Sequence, residues 1–462
     1  MAFSLDEGFH LLAAQLINRG RTLYLDFCFP QPPLNVYWNA AWMRTFPDTW
    51  RIPHLLAAML VAGAAMLAGD FTFAHLPIPK WRLSGALVTA FLVAVNVPVV
   101  QFGSLQAYGM CLFLMVAAFR VSVLGVDHKG FLVPFLAGLL AGAAAASSLL
   151  TAPLAPVLLV WMLIYNRIGT RFAKSVAFLL GAGIPFLPVL RLFAEAPRVV
   201  FFNLIEYQLL YRRVRWAGAT PHDIDVLTSW INSSQALLLG ALAVAGILFI
   251  RSANDWEPRR RAELFLSAWL ALALTTYLAL THPTFERYFL LAVPFFAIEA
   301  PVGLYAIASR LGNPDRPLWP AALLIILFCL GLAKTLYDSR HSYQWQDYEK
   351  IAAKVDEVTP PGASLWADEV IYFLTRRPPP PGMEFSYSHK LELVPSVAAS
   401  LHIVSQRELD RSIKAGAFST IATCADDEKI EQLGLERLYA HQAEVSDCLV
   451  FWGIRKPGNS PK

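Results

Sequence analysis

Residues 131–165 read FLVPFLAGLLAGAAAASSLLTAPLAPVLLVWMLIY and carry no charged side chain. They divide into two apolar runs, 131–149 and 151–165, whose composition is that of helices lying within a bilayer. Alanine and glycine crowd the first run at 141–146, and such small residues let helices approach one another closely in lipid. The stretch predicts a bundle of membrane helices.

The same apolar character extends over most of the chain. Of 462 residues, 56% are hydrophobic and 16% are charged, whereas soluble domains carry about a quarter charged residues. The mean hydropathy is +0.47. We therefore predict a mainly α, polytopic membrane helix bundle with about ten spans, at 53–69, 83–100, 105–120, 131–149, 151–165, 175–193, 229–250, 263–281, 288–308 and 318–337.

Charge and motifs exclude several other classes of protein. The net charge is +4, and the Lys and Arg residues lie in loops beside apolar runs, which is a topology signal and not a nucleic-acid footprint. The sequence has no zinc-ligand spacing, no Walker loop and no Rossmann glycine pattern. No organic cofactor is predicted, and the use of a divalent cation is left open.

Basic residues in the short loops set the predicted orientation. The loops that hold more of them, including those with Arg120, Arg171 and Arg259, are assigned to the cytoplasm by the positive-inside rule. Residues 1–52, a loop near 194–228 and the tail then lie outside the inner (plasma) membrane. The loop near 194–228 is itself basic, against this rule.

We divide the chain into three ranges: a first extracytoplasmic loop (1–52), the helix bundle (53–337) and a soluble extracytoplasmic α/β domain (338–462). The first range predicts one helix from Ser4 to Gly20 and another from Pro32-Pro33, with the patterns of helices that lie in the membrane interface. Because no span precedes this outer segment, we expect that the natural chain starts upstream and that one span is missing. Translocation of the segment by the first span is the alternative.

The tail has a different composition from the bundle. Proline and glycine cluster in it at 360–362 and 378–382, which indicates loops there. Short strands are predicted near 364–367, 418–423 and 447–454, and helices near 368–376 and 427–437. Cys424 and Cys448 could pair in an oxidising compartment, which the sequence leaves open.

Two adjacent acids, Asp6 and Glu7, open the first predicted helix. The helix dipole alone favours acids at this position. The functional alternative is a carboxylate held at the membrane surface as a general base or a cation ligand. Asp26 and Gln31 follow in YLDFCFPQPPL at 24–34, which could also be an ordinary turn before a helix.

Arginines occupy two other outer segments. YQLLYRRVRW at 207–216 holds Arg212, Arg213 and Arg215, and THPTFERY at 281–288 holds His282, Arg287 and Tyr288. Arginine binds phosphate through its planar fork, although headgroup binding or snorkelling at the membrane surface would also use it. Acids, arginines and aromatics on one membrane face suit a substrate with an anionic head and an apolar tail, such as a polyprenyl-phosphate sugar.

The first of these segments resembles a known family. DEGFH at 6–10, Gly20, Tyr24, Asp26 and QPPL at 31–34 with Tyr37-Trp38 are similar to the first outer loop of GT-C glycosyltransferases, above all the protein O-mannosyltransferases and the bacterial ArnT-like and RgtA-like enzymes. The resemblance implies that a sugar is transferred from a polyprenyl-phosphate donor to a lipid, glycan or protein of the cell envelope, usually with inversion. It also implies a site on the extracytoplasmic face.

The resemblance assigns roles to individual residues. Asp6 would be the base that activates the acceptor, and Glu7 would position the acceptor or a cation. Gln31 stands where the family often has a basic residue, so it would hydrogen-bond to phosphate without neutralising it. The donor would be bound by Arg287, Arg213, Arg212, Arg215, Gln31 and Tyr24, with support from Asp26, His282 and Tyr288.

Two other classes use the same features. A lipid-linked substrate transporter or flippase would need outer arginines too, and it should show broken helices, internal repeats and ionisable residues in mid-membrane. Glu299 is the main residue of that kind, and no repeat is evident. A non-catalytic partner whose tail binds envelope proteins is the third class.

Overall fold

The computed structural model describes residues 5–46, 49–104, 107–166, 169–312, 314–342, 344–424 and 427–455. These residues are mainly helical and end in a small sheet, which confirms the predicted fold class. The α-helices are α1 Leu5–Asn18, α2 Leu34–Thr45, α3 Arg51–His75, α4 Arg82–Ala94, α5 Val97–Phe102, α6 Tyr108–Asp127, α7 Leu132–Ser147, α8 Leu154–Tyr165, α9 Arg171–Gly183, α10 Leu187–Glu195, α11 Pro197–Phe201, α12 Ala219–Asn232, α13 Ser234–Ser252, α14 Pro258–Ala279, α15 Val293–Arg310, α16 Leu318–Asp338, α17 Trp345–Val358, α18 Glu369–Thr375, α19 Pro395–Ser400, α20 Gln406–Lys414, α21 Asp427–Leu433 and α22 Leu435–Leu438.

The chain folds into two compact units. The membrane unit comprises Pro53–Pro188 and Trp216–His341, and the second, which we call the site unit, combines Met1–Ile52, Val189–Arg215 and Ser342–Lys462. Each unit has a hydrophobic core of its own. The grouping differs from the three predicted ranges because residues 189–215 share a core with both chain ends.

Apolar helices dominate the membrane unit. Among the described residues, seven helical segments are long and apolar enough to cross a membrane, and they match seven of the predicted runs. Two further apolar helices are shorter, at Leu132–Ser147 and Leu149–Tyr165. The seven are Arg51–His75, Tyr108–Val126, Arg171–Glu195, Ser234–Ser252, Pro258–Ala279, Glu286–Arg310 and Leu318–Asp338. Of these, Arg51–His75 begins and Arg171–Glu195 ends in residues that belong to the site unit.

The predicted span at 83–100 is broken, which corrects the prediction of one continuous helix. α4 ends at Ala94 and α5 begins at Val97. The Gln235 side chain of α13 bridges the break, because its Oε1 accepts from Val97 N at 2.8 Å and its Nε2 donates to Val95 O at 3.3 Å. Backbone groups freed within a bilayer need protein partners, and this glutamine supplies them.

Glycines bring the long helices together, as the small-residue pattern predicts. A Cβ added at Gly303 of α15 would lie 2.0 Å from Leu242 O of α13. One added at Gly138 of α7 would lie 1.9 Å from Phe178 O of α9. No side chain fits in either contact, so the backbones touch directly.

The first helix is enclosed by protein in the site unit. Residues 7–16 of α1 are all buried, including Phe9, Leu12 and Leu16. The predicted apolar face therefore packs in the core of the site unit, and not on lipid. Ser4, predicted to begin the helix, lies outside the described residues.

The tail forms the small α/β domain that the sequence predicts. Its strands are β1 Leu365–Trp366, β2 Thr420–Thr423, β3 Tyr439–Val445 and β4 Cys448–Ile454, in the order β1-β2-β4-β3. β1 is parallel to β2, and the other pairs are antiparallel. Cys424 and Cys448 form a disulfide.

Candidate active site

Asp6 lies in the first turn of α1, partly exposed to solvent. α1 is fixed beside α18, since a Cβ added at Gly8 would lie 2.8 Å from Val370 N. Gln15 Nε2 of α1 also donates to Phe373 O at 3.2 Å. These contacts hold the start of the helix, and with it the Asp6 carboxylate, in a defined position.

A tyrosine from the tail contacts this carboxylate. Tyr387 Oη donates to Asp6 Oδ1 at 2.9 Å. The backbone before Tyr387 is held in turn by Glu369 of α18, whose Oε1 accepts from Ser386 N at 2.6 Å. The tail thus presents a hydroxyl to the acid that the sequence singles out.

The arginine-bearing segment meets the same stretch of tail. Residues Phe202–Tyr211 form a π-helix, a rare conformation that recurs at functional sites. From it, Tyr207 Oη donates to Tyr387 O at 3.3 Å. Lys390 Nζ lies 5.9 Å from the centre of the Tyr207 ring and donates to Arg212 O. Tyr387, Tyr207 and Lys390 therefore connect Asp6 with Arg212 through a chain of contacts.

Burial shifts the pKa of several groups around Asp6. It lowers the pKa of His10 to about 4, with the Asp6 charge opposing the change. It also lowers the pKa of Lys390 to about 8, and the Arg212 charge adds to this effect. The pKa of Tyr207 rises through burial; Arg212 counters the rise and Asp6 strengthens it. Both charges thus act on one phenol, so the acid and the arginine share an electrostatic environment.

Glu7 and Asp6 have different surroundings, although they are adjacent in sequence. Glu7 is buried, and its Oε2 accepts from Trp345 Nε1 at 3.2 Å. Within the described residues, no three or more His, Cys, Asp or Glu side chains are grouped so that they could hold a metal ion.

The predicted residues at 24–31 form a folded loop. Tyr24 is buried, and its hydroxyl donates to Gln31 O at 2.7 Å. The side chain of Asp26 accepts from Thr22 N at 2.5 Å, which is the turn role expected of such a residue. Asn203 of the π-helix accepts from Phe29 N at 2.8 Å, so this loop and the π-helix are held together.

The other two arginines of the loop are exposed and differ in their partners. Arg215 Nη2 pairs with Glu392 at 3.0 Å. Arg213 is exposed and makes no hydrogen bond or ion pair with the residues that the structure describes. Of these two, Arg213 has the charge more available to an anion.

The remaining predicted residues belong to the membrane unit. His282 pairs with Asp223 of α12, a residue that no sequence motif marks. Asp223 also accepts from Thr284 N at 2.7 Å. The Arg287 guanidinium lies 4.3 Å from the centre of the Phe285 ring, and Tyr288 is buried. His282 thus has a carboxylate partner of its own within this unit.

Sequence reasoning missed the tail's contribution to the site. Three tail residues are far from Asp6 in the chain, and no sequence motif marks them: Tyr387, Lys390 and Glu369. The one available signal was the segment PGMEFSYSHK at 381–390, where aromatic and titratable residues follow a proline-rich loop.

Two solved structures share this fold. ArnT from Cupriavidus metallidurans bound to undecaprenyl phosphate matches with a TM-score of 0.68 and 14% identity, over 97% of this chain and 94% of that chain. The apo state of the same protein matches with a TM-score of 0.66 and 14% identity, over 96% and 92%. No family model and no curated protein matches the sequence.

The chain therefore has the polytopic GT-C fold, over nearly its whole length. It shares that fold with ArnT, which confirms the resemblance seen in the first outer loop at the level of the fold. The seven apolar helices and this fold make it an integral membrane protein.

Proposed function

We propose that this protein is a membrane glycosyltransferase. It transfers a sugar from a polyprenyl-phosphate donor to an acceptor in the cell envelope, with Asp6 as the general base. The observation that carries the proposal is the contact of Asp6 with the tail, in a chain that has the ArnT fold. ArnT itself has been solved with undecaprenyl phosphate bound.

The proposed reaction is a single displacement. A hydroxyl of the acceptor attacks the anomeric carbon of the sugar, and the bond from that carbon to the phosphate oxygen breaks. The hydroxyl proton passes to Asp6, and the electron pair of the broken bond leaves with the polyprenyl phosphate. General-base help of this kind contributes about two to four orders of magnitude in rate.

Cationic groups would stabilise the leaving phosphate. Arg213 is the leading candidate within the site unit because its guanidinium is exposed and makes no ion pair with a described residue. Arg212 and Lys390 stand beside it in the same stretch of contacts. Arg287, Arg215, Tyr24 and Gln31 keep the donor-binding roles that the resemblance implies. Glu7 keeps the catalytic role of positioning the acceptor or a cation, and Asp26, His282 and Tyr288 keep their supporting roles.

The proposal is tested by the transfer reaction itself. The purified full chain is incubated in detergent with a radiolabelled polyprenyl-phosphate sugar and an envelope extract, and sugar release and transfer are measured. We expect Asp6→Asn to reduce turnover by at least about a hundredfold, from the loss of the base, and to leave donor binding nearly unchanged. Full activity in Asp6→Asn would overturn the assignment of the base.

A matched control separates the loss of the base from the loss of one negative charge. Glu357 is an exposed acid of α17 that pairs with Lys354. It lies at the opposite end of α17 from Trp345, which contacts Glu7, and Glu357→Gln makes the same change of charge there. It should retain wild-type turnover. If the wild-type chain releases no sugar but moves labelled donor across a vesicle membrane, the protein is a lipid-linked substrate transporter and not a glycosyltransferase.

We also propose that the site unit faces the non-cytoplasmic side of the inner membrane. The disulfide between Cys424 and Cys448 supports this orientation, because disulfides persist in oxidising compartments. Arg407 is exposed in the tail, so Arg407→Cys should react with a membrane-impermeant maleimide on intact cells. Labelling only after lysis would refute the orientation.

A further inference from the structure

A polar pocket lies at the break between α4 and α5 in the membrane unit. It has a volume of about 240 Å³ and is lined in part by Asn96, Gln101, Ser234 and Glu286. Asn96 is 3% exposed. Its Oδ1 has no hydrogen-bond partner among the residues that the structure describes. A buried amide oxygen without a partner costs about 1–3 kcal/mol, so the pocket favours a ligand that donates a hydrogen bond there.

An apolar groove adjoins this pocket along α13. The pocket and the groove share Trp230, Ala236 and Gly240. The groove has a volume of about 730 Å³ and extends past Val244 and Leu248 toward Arg310. Both Val244 and Leu248 are more than half exposed. α13 runs from Ser234 to Ser252, which at 1.5 Å per residue is about 30 Å, or the thickness of a bilayer core.

The charged residues that line the pocket indicate which chemical group it would bind. Its single ionisable lining residue among those described is Glu286, and neither Lys nor Arg lines it. A carboxylate beside an unpaired amide oxygen favours a cation that carries N–H donors. It disfavours a bare phosphate, so the pocket does not suit the polyprenyl phosphate of the proposed reaction.

We propose that this pocket and groove bind a membrane phospholipid with a primary amine head group. The ammonium donates to Asn96 Oδ1 and pairs with Glu286, and an acyl chain lies along α13. The site is separate from the proposed chemistry, and its occupant is a resident lipid and not a substrate.

Lipids with identical acyl chains test the head group. The delipidated full chain is mixed in detergent with phosphatidylethanolamine, phosphatidylcholine or phosphatidylglycerol, and the bound lipid is measured by native mass spectrometry. Phosphatidylcholine is cationic at nitrogen but has no N–H, so it isolates the hydrogen bond. We expect phosphatidylethanolamine to bind about two- to tenfold more tightly than phosphatidylcholine, which corresponds to one net hydrogen bond.

Three variants test whether the lipid binds in this pocket and groove. Asn96→Leu should bring the two affinities to within a factor of about two, since the acceptor is gone. Gly240→Leu should abolish binding of both lipids by filling the groove, because an added Cβ there meets no atom within 4 Å and the fold need not shift. Gly183→Leu is the matched control, because Gly183 in α9 has the same open space, and it should bind like wild type.

Several results would overturn the proposal. These are equal binding of phosphatidylethanolamine and phosphatidylcholine to the wild-type chain, unchanged selectivity in Asn96→Leu, and lipid retention in Gly240→Leu. Displacement of phosphatidylethanolamine by undecaprenyl phosphate at equal concentration would assign the groove to the donor instead. None of these outcomes bears on Asp6, whose test is turnover.

Discussion

The variant Glu369→Gln tests whether ionisation of the buried Glu369 carboxyl destabilises the segment that carries Tyr387. Glu369 is a buried carboxyl of α18, and burial raises its pKa from 4.5 to about 7. A glutamine has nearly the same shape and still offers an oxygen to Ser386 N. The substitution therefore removes the ionisation and leaves the hydrogen bond.

The sign and size of the effect follow from the two pKa values. The folded state holds a proton on Glu369 up to about pH 7, while the unfolded chain releases it near pH 4.5. The contribution of protonated Glu369 to folding stability is thus fully present below pH 4.5. It is lost as the pH rises from 4.5 through 7. At about 1.4 kcal/mol per pH unit, the difference between these two pKa values gives a loss of about 3 kcal/mol by pH 8.

Hydrogen exchange of the full chain in detergent measures this loss. The opening free energy of peptides covering 369–390 is determined from pH 5 to pH 8, after correction for intrinsic exchange rates. We expect Glu369→Gln to exceed wild type by less than about 1 kcal/mol at pH 5 and by up to about 3 kcal/mol at pH 8. Glu384, whose pKa burial also raises to about 7, contributes equally to both proteins and cancels.

The exposed acid Glu357 provides the control here too. Glu357→Gln should follow the wild-type curve at every pH. If wild type and Glu369→Gln lose protection in parallel between pH 5 and pH 8, Glu369 does not titrate in this range and the reasoning fails.

Three other substitutions test separate features. Gln235→Leu removes the bonds that bridge α4 and α5, so the melting temperature in detergent should fall, by an amount equivalent to about 3 kcal/mol; an unchanged melting temperature would mean that the break needs no bridge. Gly303→Leu should separate α13 from α15 and destabilise the chain, whereas Gly183→Leu should not, and equal stability of the two would contradict direct backbone packing. Tyr387→Phe removes the hydroxyl that contacts Asp6, so kcat for sugar transfer should fall about two- to tenfold with KM for the donor unchanged; a change confined to KM would assign Tyr387 to binding.

Hydropathy alone predicts the positions of the long helices, but it does not predict the break between α4 and α5. Seven spans follow from apolar length alone, because a bilayer imposes that length. The interruption at Val95-Asn96 depends on Gln235, which is remote in sequence and invisible to a window of neighbouring residues. The sequence did not predict β3, because only its first residue is buried and the rest of the strand lacks a buried apolar face that would mark it.

The candidate site shows the same limit. Asp6 could be found because local motifs surround it, from the acidic pair to QPPL at 31–34. Tyr387 contacts it across 381 positions of sequence, and no local pattern encodes a contact of that span. The π-helix at Phe202–Tyr211 likewise has no composition that distinguishes it from an α-helix.

The site unit also constrains how the protein is made. Gln15 of α1 bonds to Phe373, which the ribosome adds 358 residues later. At about 5–20 residues per second, this delay is roughly 20–70 s. During that time Phe9 lacks the cover of Phe385, whose ring lies 5.0 Å from its own in the folded chain, so we expect α1 to depend on a chaperone or the lipid surface until the tail is made. A nonsense mutation between α17 and α18 would therefore spare every membrane helix and still leave a chain that quality-control proteases recognise.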